Sequence, residues 1–214
     1  MKHRLWLVLA MAFTLSACQS AYYGAWEKVG VHKRDIMVDR VEDAKEAQEE
    51  AQQEFSSALE EMQAMLGSDG GDLQRAYEKA ADEYESAASA AENVTERING
   101  VESVAEALFD EWQQEIGEIS KASLRNTSQR QLRDTQRNYQ NLIRSMRRAE
   151  SKMTPVLTTM KDNMLYLKHN LNARTIGAIE GEFNSLKQDI DGLIKEMNKS
   201  IQESNKFIES MQSS

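Results

Sequence analysis

The chain has 214 residues, with one proline, one cysteine, ten glycines and a formal net charge of −9. At about 5% usage, an average protein of this length would hold roughly ten prolines, so few breaks are enforced, and the turn-rich patterns of all-β folds are excluded. A single cysteine excludes an internal disulfide framework and any zinc site built from several thiolates.

Residues 1–17 read as a leader rather than as part of the fold. Lys2, His3 and Arg4 form a basic start, and Leu5 to Leu15 is an apolar run of eleven residues. That is too short to span a bilayer, which takes about twenty. It ends in Leu15-Ser16-Ala17-Cys18, which resembles the lipobox of bacterial lipoproteins. Small side chains at 16 and 17 let the backbone enter a signal-peptidase cleft, and only a thiol at 18 can take the diacylglyceryl thioether. Cleavage before Cys18 leaves 197 residues whose first residue carries about three acyl chains, enough for stable anchoring without a span. Gln19, in place of Asp, resembles the pattern of lipoproteins sent to the outer membrane, facing the periplasm.

Residues 18–34 read as the lipidated N-terminus and a tether. Tyr22, Tyr23 and Trp26 suit either the lipid headgroup level or packing against the folded part.

From about Ile36 the apolar residues follow a three-four rhythm, the mark of helices that pack along one stripe. The first seam runs Val41, Ala44, Gln48, Ala51, Phe55, Ala58, Met62 and Met65, with Gln48 its one polar member. Gly67 is placed to end that helix, and Asp72 to cap the next. The second seam runs from Tyr77 through Ala80, Ala87, Val94, Ile98, Val101 and Leu108 to Trp112, stopping near Ile119-Ser120. Ser123 is the expected cap of the third, whose seam includes Leu132, Tyr139, Leu142, Met146, Met153, Met160 and Leu167. Pro155 lies inside it, either kinking one helix or starting a new one capped by Thr154. Asn170, Asn172 and Gly177 mark a turn before a fourth seam that includes Ile179, Phe183, Leu186, Ile190, Leu193, Met197, Ser204 and Met211. Short links make neighbours antiparallel, and the second segment alone spans about 70 Å at 1.5 Å per residue. The expected fold is all-α: an elongated antiparallel bundle or coiled coil of about four long helices over residues 35–214. Seams this narrow can also pair between chains, so a homo-oligomer stays open.

Charge is divided along the chain. Residues 30–119 hold 24 acids and 7 bases, whereas residues 120–154 hold nine bases and two acids. Arg130, Arg133, Arg137, Arg144, Arg147 and Arg148 belong to that basic stretch. The leading reading pairs them with the acidic second helix, since flanking charges select partners in coiled coils. The alternative is a surface for an anionic envelope component, lipid or cell-wall glycan. Nucleic acid is set aside, because the mature chain is acidic and exported and Tyr139 is the only interleaved aromatic.

No HExxH, no Glu-x-x-His pair and no glycine-rich phosphate loop occurs. No cofactor or metal site is expected, and a non-enzymatic role follows. Two polar stretches stand outside the seams. Val31-His32-Lys33-Arg34-Asp35 and Leu167-Lys168-His169-Asn170-Leu171-Asn172-Ala173-Arg174 read as caps and turns, or as contact surfaces centred on His32, Lys33, Arg34 and His169.

Several stretches carry a family resemblance. Cys18-Gln19-Ser20-Ala21-Tyr22-Tyr23, Glu27 to Ile36, Val38 to Ala44, Asp69-Gly70-Gly71-Asp72-Leu73, Val104 to Trp112 and Leu167 to Arg174 resemble a bacterial lipoprotein family known only as domain of unknown function 2959. The resemblance covers nearly the whole mature chain. It implies a helical, coiled-coil, envelope-associated protein, and no activity, ligand or functional residue comes with it. The function expected from sequence is a lipid-anchored periplasmic scaffold or protein-interaction partner. The alternative is a binding protein for an anionic envelope component through the basic face of the third helix.

Overall fold

The computed structural model describes residues 33–66, 73–168 and 173–213. Four helices account for them: α1 (Lys33–Leu66), α2 (Leu73–Glu118), α3 (Ala122–Lys168) and α4 (Ala173–Gln212). The all-α expectation of about four long helices holds. α1 stops directly before Gly67 and α2 starts directly after Asp72, both of which lie outside the described residues.

Three local expectations change. The turn between α2 and α3 takes residues 119–121, and Leu124 and Arg125 both donate their amides to the Lys121 carbonyl. Ser123 therefore lies inside the first turn, where its carbonyl accepts the Thr127 hydroxyl at 3.0 Å, and it is not the cap. Pro155 sits within one continuous α3, so Thr154 starts no new helix; its hydroxyl-bearing neighbour Thr158 donates back to the Thr154 carbonyl. Gly177 falls inside α4 rather than in the turn before it.

Each helix packs on the next in chain order, and α4 packs back on α1, closing a ring in which α1 and α3 lie diagonally opposite. The α1 and α2 backbones come closest. Ala44, Ala51 and Ala58 face a partner that offers Ala80, Ala87 and Ala91, all buried, and small side chains permit the short interaxial distance.

The register is fixed by cross-links at several levels. Between α1 and α2, Lys33 pairs with Glu111 at 2.6 Å, Arg97 with Asp43 at 3.3 Å, and Lys79 with Glu61 further along. On the other side of α1, the Arg34 guanidinium donates to the Met211 carbonyl and Gln52 Nε2 to the Ile194 carbonyl at 3.3 Å. Between α2 and α3, the rings of Phe109 and Tyr139 meet edge to face at 5.4 Å, and Trp112 Nε1 donates to Ser128 Oγ at 2.9 Å. This register leaves the α2–α3 turn projecting past the start of α1 and the end of α4, by about ten residues of α3 or roughly 15 Å. Ile116 and Leu132 are buried in the projection, apart from the main core.

The core is a continuous column. Phe55, Ile98, Leu142 and Leu186 are fully buried, each such side chain contributing about 1.5–3 kcal/mol. All eight seam residues read in α1 are buried, Gln48 included. The buried stripe is wider than the narrow seams suggested, because Ala47, Leu59, Ala90, Val104 and Phe207 join it. In a closed ring each helix faces two neighbours and needs a broader apolar face than a two-stranded coil does. Polar atoms also enter the column. Both side-chain atoms of Gln48, Asn163 Nδ2 and Ser200 Oγ are buried without a hydrogen-bond partner. The Gln52–Ile194 contact sets Gln48 near the level of Ser200 across the α1–α4 interface.

Candidate functional site

The basic row of α3 does not pair with α2 as a row. Arg147 alone does so: its guanidinium grips both carboxylate oxygens of Glu102, with Nη2 at 2.5 Å from Oε2 and Nε at 3.2 Å from Oε1. It also holds Glu150 of its own helix at 2.8 Å and donates to Asn99 Oδ1 at 2.7 Å. Hydrogen bonding to Glu102, more than any other cause, raises the guanidinium's proton affinity. Arg147 is therefore a structural clamp between α2 and α3.

Its neighbours behave differently. Arg130, Arg133, Arg137, Arg144 and Arg148 are exposed. Arg130 donates to Thr127 Oγ1, and Arg144 to the Gln140 carbonyl and Asn141 Oδ1. Arg137 pairs with Asp134 one turn back at 3.0 Å, with the arginine side chain still 71% exposed against 33% for Arg147. None of these partners lies on another helix. The expected intramolecular pairing is thus confined to Arg147, because helix phase decides which side chains reach α2.

That phase gathers the remaining cations. Residues 130, 133, 137, 144 and 148 follow spacings of three, four, seven and four, and Lys152 continues them by four. At about 100° per residue all six fall within an arc of roughly 100°, along about 33 Å of helix. The buried Leu142, Met146, Ala149 and Met153 lie away from this arc, toward the opposite side of α3. Lys152, outside the candidate residues read from sequence, belongs to the stripe by this spacing. A side-chain carbon at Gly192 of α4 would lie 3.9 Å from its ammonium. Lys199 chiefly, by a hydrogen bond, and then Lys152 and Arg148 by charge, hold the Glu196 carboxyl below its usual value. The upper end of the stripe thus borders one acid of α4, while Arg130, Arg133, Arg137 and Arg144 face solvent beside only Asp134.

The opposite side of the ring has the opposite sign. α1 and α2 carry most of the acids of residues 30–119, and of their few bases Lys33, Lys79 and Arg97 pair between the two helices.

Lys33 and Arg34 do not form a free contact surface. They bind Glu111 and the Met211 carbonyl and close the bundle end where α1 begins. With Leu108, Trp112 and Met211 they line a shallow recess of about 230 Å³. A wider groove of about 620 Å³ runs between α2 and α3, past Tyr84, Thr95, Ser151 and Thr154. Cys18, His32 and His169 lie outside the described residues. Among the described residues no cluster of His, Cys, Asp and Glu is arranged to hold a metal. No described helix is long and apolar enough to cross a membrane.

The comparison with curated proteins finds no match. A family model described as Protein of unknown function (DUF2959) matches residues 22–211, a span that takes in α1 to α3, all of α4 but its last residue, and every cation of the stripe. The chain belongs to that family.

Proposed function

We propose that the protein is a non-enzymatic, lipid-anchored component of the bacterial cell envelope that holds an anionic envelope component against the exposed basic stripe of α3. The observation that carries this reading is the sorting of the arginines. Arg147 is committed to the fold, whereas the hydrogen bonds and ion pairs of Arg130, Arg137 and Arg144 stay within α3, and these three share one exposed face with Arg133. Six cations on one arc repel each other, and a solvated structural face gains nothing from that arrangement. An anionic ligand gains from all of them at once.

The anchor is part of the same reading. The basic start, the eleven-residue apolar run and Leu15-Ser16-Ala17-Cys18 support lipidation at Cys18 and a location on the outer membrane facing the periplasm. Fractionation and acyl labelling of a Cys18→Ser variant test it. The expected result is loss of label, with the protein released or kept as a longer precursor; a variant still labelled, processed and membrane-bound contradicts the anchor.

A scaffold role toward another envelope protein is the second reading. The α2–α3 projection favours it, since Leu124 at its tip is 56% exposed and stands clear of the other two helices.

A further inference from the structure

We infer that the anionic component is the phosphate surface of the bilayer that holds Cys18, and that the bundle lies down along it on the α3 side. This rests on the reading of Cys18 as a lipid anchor and of the stripe as a binding face. Three observations lead from that face to a membrane.

The first is shape. A single phosphorylated ligand needs convergent donors in a recess, but the stripe is straight, convex and about 33 Å long, as six cations on one helix face must be. Such a line fits a flat array of phosphates, where each Lys or Arg near an anionic surface contributes about 1 kcal/mol.

The second is charge asymmetry. α1 lies diagonally across the ring from α3, and the acids concentrate on α1 and α2. An anionic surface repels that side and attracts α3, so one orientation is selected. α4 adds no comparable field, because its seven acids outnumber its five bases and Lys187, Lys199 and Lys206 each pair with an acid of their own helix.

The third is reach. Lys33 is level with Glu111 through their ion pair, and that stretch of α2 meets α3 through Trp112–Ser128 and Phe109–Tyr139, so the start of α1 lies near the level of Arg133. Fifteen residues separate Cys18 from Lys33, and a chain of that length spans at most about 50 Å. The ring diagonal is only about 14 Å at interaxial distances near 10 Å. A bilayer gripping Cys18 is therefore within range of the stripe, beginning at the end of the bundle nearest the anchor.

The test uses the mature lipidated protein carrying one spin label. Acylation consumes the only native thiol, so Asn141→Cys labels the stripe and Glu49→Cys labels the outward face of α1. Each protein is reconstituted in vesicles of phosphatidylcholine alone or with about a third phosphatidylglycerol, and relaxation by chelated nickel on the lipid headgroups is measured. The expected result is strong relaxation at 141 in the anionic vesicles only, weak relaxation at 49, and loss of the difference near 1 M salt, where the screening length falls to about 3 Å. Combining Arg133→Glu, Arg137→Glu and Arg144→Glu should bring the signal at 141 down to its neutral-vesicle level. Protein that floats with the vesicles but shows equal relaxation at 141 and 49 overturns the inference and leaves the anchor intact. Protein that fails to float with any vesicle, with an unmodified Cys18 by mass spectrometry, overturns the anchor itself. Salt-sensitive binding to isolated cell-wall glycan, without a signal at 141 on vesicles, overturns the membrane as partner and retains the stripe.

Discussion

The Arg147 guanidinium of α3 and the Glu102 carboxylate of α2 form a two-point contact at 2.5 and 3.2 Å, while Arg144, one turn earlier, touches only residues of its own helix. Only about 60° of helical phase separates a cation that holds the bundle together from one that faces outward. The two classes should respond oppositely to mutation. Arg147→Ala should cost about 1–2 kcal/mol, the range of a charge-assisted pair that is partly open to water. For a chain of this size that is a fall in Tm of roughly 2–8 °C. Combining Arg133→Glu, Arg137→Glu and Arg144→Glu should leave Tm within about 1 °C. Thermal melts of both variants check this, and a large loss from the triple variant would return the row to a structural role.

Gln48 should be a site where stability has been given up. Both its side-chain atoms are buried without partners, and each such atom costs about 1–3 kcal/mol. Gln48→Leu keeps the volume close and removes the orphaned groups, so the urea midpoint should rise by an amount worth about 1–3 kcal/mol. A lower midpoint would mean that Gln48 is satisfied in solution, by water or by Ser200.

Pro155 is exposed within a continuous helix and deprives the Ser151 carbonyl of its usual helical donor. Pro155→Ala should restore that bond and stabilise the protein by about 1–3 kcal/mol. Equilibrium denaturation measures it, and a destabilised variant would show that the bundle depends on the shape proline gives α3.

Tyr139 packs edge to face on Phe109, and its phenol is pushed up to about 12, first by burial and then by the charge of Glu102. The fold disfavours the phenolate, so Tyr139 contributes stability that is complete below the unfolded value near 10 and is lost as pH rises toward 12. Tyr139→Phe should keep the ring contact and flatten the decline over that window. Absorbance titration of the phenolate, beside melts at each pH, checks both halves; a Tyr139 that ionises near pH 10 removes the effect.

Much of the fold was legible in the chain because a helix core repeats locally. Phe55, Ile98, Leu142 and Met197 were all placed by three-four spacing alone, and all are buried. The width of the stripe was not legible, because Ala47 and Val104 are buried by the ring closing through α4, which depends on all four helices together. The candidate site was half legible. The bases of α3 were visible as composition, but their partition between clamp and stripe depends on interhelix register. That register sets Glu102 opposite Arg147 and nothing opposite Arg133. The phase itself was available, since Arg130, Arg133, Arg137, Arg144 and Arg148 run out of step with the seam of Leu142, Met146 and Ala149. The two periods along α3 separate the stripe from the core and bring in Lys152. Lys33 and Arg34 looked like a surface because the carbonyl of Met211, far away in sequence, was not yet beside them.

Photocrosslinking in living cells from a single site on the stripe separates a ligand-bearing face from a merely solvated one. A photoreactive side chain at Asn141, between Arg137 and Arg144 on the exposed face, is compared with one at Glu49 on the diagonal helix α1. The expected result is an adduct with an anionic envelope component from 141, lost when Arg133→Glu, Arg137→Glu and Arg144→Glu are combined, and none from 49. Equal labelling from both positions, or an adduct at 141 that survives the charge reversals, would contradict it.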